Sequence, residues 1–229
     1  MDAEDATQEI LIKVITNLAS FRGESAFETW VHRVAVNHLM NLKQRLVENL
    51  TFEEGAVHLG RAAVQPAYEG PEQHLLAEEV KMSCTTSMLI CLSRPMRMAY
   101  ILGEIVGLST TEAAYALEVT PEAFRKRLSL ARADLRAFMS AHCGLFNPEN
   151  PCRCEKKINY DVAISRMNPK QLRFADKGSA RAHAPQIVAG VERLRDDVAI
   201  FRSHPEYQAP ERLLAGLKAL IASRTADLE

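Results

Sequence analysis

What the chain has little of narrows it first. No apolar run approaches the ~20 residues that cross a bilayer, so no membrane span is expected. Alternation of apolar and polar residues is scarce, which argues against sheet folds and for a nearly all-helical chain. Glycine and proline number ten each and are scattered, with no internal repeat and no low-complexity tract. The formal net charge is −1, so no global basic field announces a nucleic acid. The five cysteines are an odd number, and no signal peptide precedes them. They read as free thiols or a metal site in a reducing cytoplasm, not as a disulfide framework. No cofactor loop and no acid/base or nucleophile constellation is visible, so catalysis is the function the residues support least.

What is present is ordinary in bulk and uneven in detail. The 229 residues are enough for two small domains, and 47% hydrophobic with 25% charged suits a globular protein. From Pro121 to Lys157 eight basic residues (125, 126, 127, 132, 136, 153, 156, 157) face four acids (122, 134, 149, 155). This local excess matters more for DNA than the total. It begins inside LSTTEAAYALEVTPEAFRKRLSLARADLRAF, residues 108–138. Ser109 and Glu112 form a capping-box pattern ahead of Ala113, Ala114 and Leu117. Glu118-Val119-Thr120 makes a turn, Thr120 is a good N-cap, and Pro121 falls at the first helical position. The second helix then buries Phe124, Leu128, Ala131, Leu135 and Phe138, with Arg125, Ser129, Arg132 and Arg136 on its other side. A short helix, a three-residue turn and a basic second helix are what a DNA-reading helix-turn-helix requires. An ordinary surface helix with a solvated charged face fits the same periodicity.

The pattern S-x-x-E-x-A-x-x-L, then Thr120, then R-L-x-x-A-R at 127–132 resembles region 4 of bacterial sigma factors of the extracytoplasmic-function (ECF) group. The resemblance implies that Thr120, Glu122, Ala123, Arg125, Lys126, Arg127, Ser129 and Arg132 meet the −35 promoter element. The family usually has Gly where this chain has Glu118, a turn position that suits positive φ.

Two further motifs carry the same resemblance. The acidic, amide-rich start DAEDATQE is similar to the sigma segment that docks on the clamp of RNA polymerase, which implies that role for Asp2, Asp5, Gln8 and Glu9. Its helix, expected over Asp2–Leu18, has the apolar stripe Ile10, Leu11, Val14, Ile15 and Leu18. The run FRGESAFETWVHRVAVN resembles the segment of sigma region 2 that opens DNA and recognises the −10 element. Ser25 and Glu28 make a second capping-box pattern there. The resemblance implies −10 contacts by Phe21, Arg22, Trp30, Arg33, Asn37, His38, Asn41 and Arg45. Aromatic and arginine planes stack on unpaired bases, and amides bond their edges. Trp30, at helical spacing with Phe27 and Val34, reads equally as core. The family has a further helix ahead of DAED, so region 2 is expected to lack its first helix here.

The expected organisation is all-α. Residues 1–46 form partial sigma region 2, and 47–70 a linker with a short helical piece at Phe52–His58. Residues 71–141 form a four-helix region 4 with the helix-turn-helix, and 142–229 a Cys-containing segment and helical extension. In region 4, one helix carries Leu75, Leu76, Val80, Met88, Leu89 and Leu92, and the next Met98, Ile101, Leu102, Ile105 and Val106, ending at Gly107. The segment HCGLFNPENPCRC offers His142, Cys143, Cys152 and Cys154, soft or borderline ligands that could bind zinc or copper, although C-x8-C-x-C is not a standard finger spacing. A helical hairpin follows, with helices starting at Pro185 and Pro210. As a whole the chain is expected to be a cytoplasmic sigma factor that needs no cofactor. Its partners would be core RNA polymerase, promoter DNA, and an anti-sigma factor or its own extension as regulator. A DNA-binding regulator that does not engage polymerase productively, or a metal- or redox-responsive sensor, remains the alternative.

Overall fold

The structure, a computed structural model, describes residues 3–43, 46–174, 197–202 and 215–216. In chain order these form α1 (Ala3–Thr16), α2 (Phe27–Asn41), α3 (Phe52–Ala63), α4 (Gln73–Cys91), α5 (Arg94–Tyr100), α6 (Thr110–Ala116), α7 (Pro121–His142), α8 (Cys154–Ala163) and α9 (Asp197–Arg202). A π turn, Ile101–Val106, continues α5. Among the described residues there is no strand, and the fold is all-α as the sequence implies. Two compact units form, and their bounds do not follow the four expected segments. The first holds the described residues of Met1–Lys43, Leu108–Arg125 and Glu206–Glu229, and the second those of Gln44–Gly107 and Lys126–Pro205.

In the first unit, α1 and α6 each pack on α2. Glu4 and Asp5 load the first turn of α1 with charge that suits the helix dipole. Of the expected α1 stripe, Val14 is buried, Ile10, Leu11 and Ile15 are half-buried, and Leu18 is exposed. The helix ends at Thr16 and a 3-10 turn, Leu18–Ser20, follows, so the 100° period no longer carries Leu18 inward. The expected cap on α2 does not form. Ala26 occupies the N-cap, and the Ser25 hydroxyl donates instead to the Ala26 carbonyl at 3.2 Å. The cap on α6 forms as expected, with the Glu112 amide donating to Ser109 Oγ at 3.3 Å and the Ser109 amide to Glu112 Oε2 at 2.9 Å.

The second unit is built on α4, α8 and α3. Leu76 and Val80 of α4 meet Ile158 of α8 at a fully buried centre. The helix of the Cys-containing segment is therefore part of this core, not an appendage. Where a linker with a short helical piece was expected, α3 runs to Ala63, packed on α4 and α8. Its start is a capping box between Thr51 and Glu54. Gly55 keeps α3 close to α7, because a Cβ there would lie 3.3 Å from the Phe138 ring. Glu79 is buried on α4, and its carboxylate accepts the backbone N–H groups of Arg173 and Phe174 at 2.9 and 2.8 Å, fixing the chain after α8. Arg97 donates to the carbonyls of Leu89, Ile90 and Leu92, closing the C-terminal end of α4, and reaches Glu48 at 3.0 Å.

The π turn changes which residues face inward. The expected stripe was Met98, Ile101, Leu102, Ile105 and Val106. The structure buries Ala99, Tyr100 and Leu102 and leaves Val106 exposed, because i→i+5 bonding rotates the later residues out of the 3.6 period. Gly107, at φ +82°, ends the segment as expected. Along α7 the expected inward residues Phe124, Leu128, Ala131, Leu135 and Phe138 are all buried. Of the expected hairpin, the described residues are α9 and Ala215–Gly216, both helical. Phe201 of α9 packs edge-on against Tyr100, with ring centroids 5.3 Å apart. The helix starts at Pro185 and Pro210 lie outside the described residues.

Leu135→Ala should lower the unfolding free energy by about 2–5 kcal/mol in urea titrations, since the side chain is fully buried and the site cannot collapse freely. A pH dependence is also expected from His58, whose Nδ1 lies 2.7 Å from the Tyr160 hydroxyl. Burial, then the charges of Arg166, Lys157 and Arg61, push its pKa below the ordinary 6.5, with Asp161 opposing them. The unfolded chain therefore takes the proton more readily. Stability held by a neutral His58 is present above pH 6.5 and is lost as the pH falls below it. His58→Gln should flatten that part of the stability–pH curve.

Candidate nucleic-acid interface

The residues expected to meet unpaired bases come from a loop and one helix, and the fold brings most of them together. Phe21, Arg22, Trp30, Arg33 and Asn37 line one polar cleft of about 430 Å³. Phe21, Phe27 and Trp30 support each other, with centroid distances of 5.4, 5.6 and 5.7 Å and Phe27 stacked on Trp30. Trp30 is buried except for its edge at the cleft, so it is mainly a packing residue. Asn17, Ser20, Glu24, Val34 and Tyr115 complete the lining. Tyr115 is the member sequence reasoning could not find, because it arrives on α6 from far along the chain.

Two of the expected −10 residues, His38 and Asn41, stand elsewhere. His38 is buried between α1 and α2, where Lys13 Nζ donates to its Nδ1 at 2.8 Å and Glu9 lies 3.5 Å from its Nε2. The helical period points it at α1, and that fixes its role as packing. Asn41 is exposed, its amide bonded to the Asn37 carbonyl at 2.8 Å. Arg45 lies outside the described residues. Of the expected polymerase-facing residues, Asp5, Gln8 and Glu9 are exposed on α1, and Asp2 lies outside the described residues.

The turn between α6 and α7 is a Schellman closure. The Val119 amide donates to the Ala114 carbonyl at 3.0 Å and the Glu118 amide to that of Tyr115 at 3.2 Å. This puts Glu118 at φ +53°, a left-handed conformation that costs a non-Gly residue about 1–2 kcal/mol. Its carboxylate takes Arg33: Nε donates to Glu118 Oε1 at 2.8 Å, and Nη2 donates to the same oxygen. The Arg33 guanidinium also lies over the Tyr115 ring, 5.0 Å from its centroid. Tyr115, followed by Glu118, pushes the Arg33 pKa up against the effect of burial.

On α7, Thr120 caps the helix as expected, its Oγ1 accepting from the Ala123 amide at 3.2 Å. Glu122, Arg125, Lys126 and Ser129 are exposed beyond it, with Ala123 and Arg127 half-buried. Arg125 pairs with Glu122 at 3.0 Å in open solvent. Arg132 is exposed and paired with Glu104.

The expected metal ligands are not gathered as a set. Cys143, Cys152 and Cys154 line an apolar cavity of about 30 Å³ together with Cys84 of α4, whereas the His142 ring lies against Phe138 at 5.0 Å. Among the described residues no group of three or more His, Cys, Asp or Glu side chains is placed to hold a metal ion. Burial pushes the Cys84 thiol up to about 12 and Cys152 to about 11. Such thiols stay protonated near neutral pH.

Comparison with known proteins places the chain in a family. The sequence pattern of the family Sigma-70 region 2 matches residues 1–46. Over 136 residues the chain is 32% identical to RNA polymerase sigma-H factor of Pseudomonas aeruginosa, spanning 57% of this chain and 69% of that protein. Over 142 residues it is 32% identical to ECF RNA polymerase sigma-E factor of Escherichia coli, spanning 57% and 70%. No solved structure matches. The chain belongs to the sigma-70 family of RNA polymerase sigma factors, in its ECF group, and acts in transcription initiation. Core RNA polymerase and promoter DNA are the partners that membership implies, and sigma factors are not enzymes.

His38→Ala should lower stability by about 1–3 kcal/mol in urea titrations, because it strips a buried contact from the α1–α2 junction. Asn37→Ala, on the cleft, should change stability by less than about 0.5 kcal/mol.

Proposed function

We propose that the cleft on α2 receives the exposed strand of the −10 element, and that the first turns of α7 read the −35 duplex. The observation that carries this is the convergence of Phe21, Arg22, Trp30, Arg33 and Asn37 on one open cleft. Stacking on aromatic edges and charge-assisted bonds from guanidinium groups suit an unpaired strand. At the start of α7, Arg125 and Lys126 are exposed and project beyond the cap at Thr120. Anions are favoured at a helix N-terminus, so a DNA phosphate there is supported by the helix itself.

The exposed Asp5, Gln8 and Glu9 give α1 an acidic, amide-bearing face suited to a basic surface on core polymerase. Among the described residues no helix is long and apolar enough to cross a membrane. We place the protein in the cytoplasm, where its polymerase partner works.

Run-off transcription with bacterial core polymerase and a pool of promoter fragments tests the whole reading. Specific transcripts that disappear when the chain is omitted are the expected result, and duplex binding without any transcript would sink the assignment of these faces. On base-substituted −35 duplexes, Arg125→Ala should cost about 1–3 kcal/mol and relax preference at one position. Lys126→Ala should weaken every duplex alike and make the salt dependence shallower. Identical profiles for the two variants would remove the distinction between base reader and phosphate contact.

A further inference from the structure

The face of α2 assigned above to the exposed strand is not left open by the chain itself. α6 packs on α2, and its Tyr115 stands at the wall of the cleft. The turn residue after α6, Glu118, holds Arg33 through two N–H donors on one carboxylate oxygen. That is the contact a DNA phosphate oxygen would make with the same guanidinium. Both partners are partly exposed, with side-chain exposures of 37% for Arg33 and 47% for Glu118, so the pair is reachable by a competing anion. Glu118 is also a poor residue for its own backbone, which is left-handed at φ +53° where glycine is free of strain. The carboxylate thus has no part in making the turn. Its bonding in the structure is to Arg33.

We propose that Glu118 and Tyr115 are an internal stand-in for single-stranded DNA: they occupy Arg33 in the free chain, and a strand entering the cleft must displace them. This rests on the reading of α2 as the strand-binding helix. The device is weak by construction. A partly exposed ion pair corresponds to roughly two- to fivefold in an equilibrium constant, enough to disfavour stray single strands and small enough for a specific complex to overcome.

Anisotropy of a fluorescein-labelled dT12 strand, titrated with the full chain at low salt, tests the proposal. Glu118→Gln and Glu118→Gly should both tighten binding, roughly two- to fivefold and alike. The first removes charge and keeps the strained turn, and the second removes both, so agreement assigns the effect to the carboxylate. In an Arg33→Ala background, Glu118→Gln should change nothing. Unchanged binding in both Glu118 variants overturns the stand-in. So does equal tightening with and without Arg33, which would mean only that a negative charge had been removed. If parent and all variants fail to bind dT12, the strand-binding role of α2 falls and this inference with it. If the parent binds and the Glu118 variants do not differ from it, the inference alone falls. Thermal melts followed by circular dichroism show that each variant is folded, and Glu118→Gly should melt no lower than the parent.

Discussion

The left-handed backbone at Glu118 is the constraint on which the helix-turn-helix depends. It closes α6 with a Schellman pair, turns the chain through Val119, and delivers Thr120 to cap α7. Without that reversal the basic first turns of α7 would have no defined relation to the short helix before them. The residue is unusual for the position, and the structure shows what accompanies the anomaly. The side chain reaches across to α2 and bonds Arg33. A local backbone penalty and a long-range charge contact therefore sit in one residue, which is a pattern expected where a contact has a role beyond packing.

The second unit follows a different logic. Its core is assembled from segments far apart in sequence, with Leu76 and Val80 of α4 against Ile158 of α8. Polar anchors then fix what surrounds that core. Glu79 accepts two backbone N–H groups beyond α8, Arg97 closes the end of α4, and Lys157 and Asp161 form a buried pair 2.5 Å apart. Burying such a pair gains little over an apolar one, but losing either partner would leave an uncompensated charge, which penalises alternative packings. The cysteines fit this setting. Four of the five line a small apolar cavity inside the unit, where burial pushes up the thiols of Cys84, Cys152 and Cys154 and keeps those three protonated.

Legibility in the sequence tracked the range of the interactions. The inward stripe of α7 was readable residue by residue because it is a local helical period that the core accepts unchanged. So was the Ser109–Glu112 cap, whose partners are three residues apart. The same local logic misled at Ser25, where the pattern is present but Ala26 takes the cap position, and at Leu18, where a 3-10 turn breaks the period. The π turn at Ile101–Val106 has no sequence signature, so the stripe drawn across it was displaced. At the cleft, Phe21, Arg22, Trp30, Arg33 and Asn37 were legible because loop and helix are contiguous in the chain. His38 was misplaced because its partner surface is α1, and which face of α2 meets α1 is a matter of packing.

By itself, then, the sequence determined the all-α class, the two helices and turn of the helix-turn-helix, and five of the ten residues that line the cleft. Those features are written in spacing, capping chemistry and residue type, which act over a few positions along the chain. The tertiary structure alone decided that Tyr115 and Glu118 meet Arg33, that Arg132 is tied to Glu104, that α8 belongs to a core with α4, and that Cys84 rather than His142 joins the other thiols. Each of these joins residues remote in the chain. Their proximity follows from how helices choose neighbours when they bury apolar surface, and that choice has no local record.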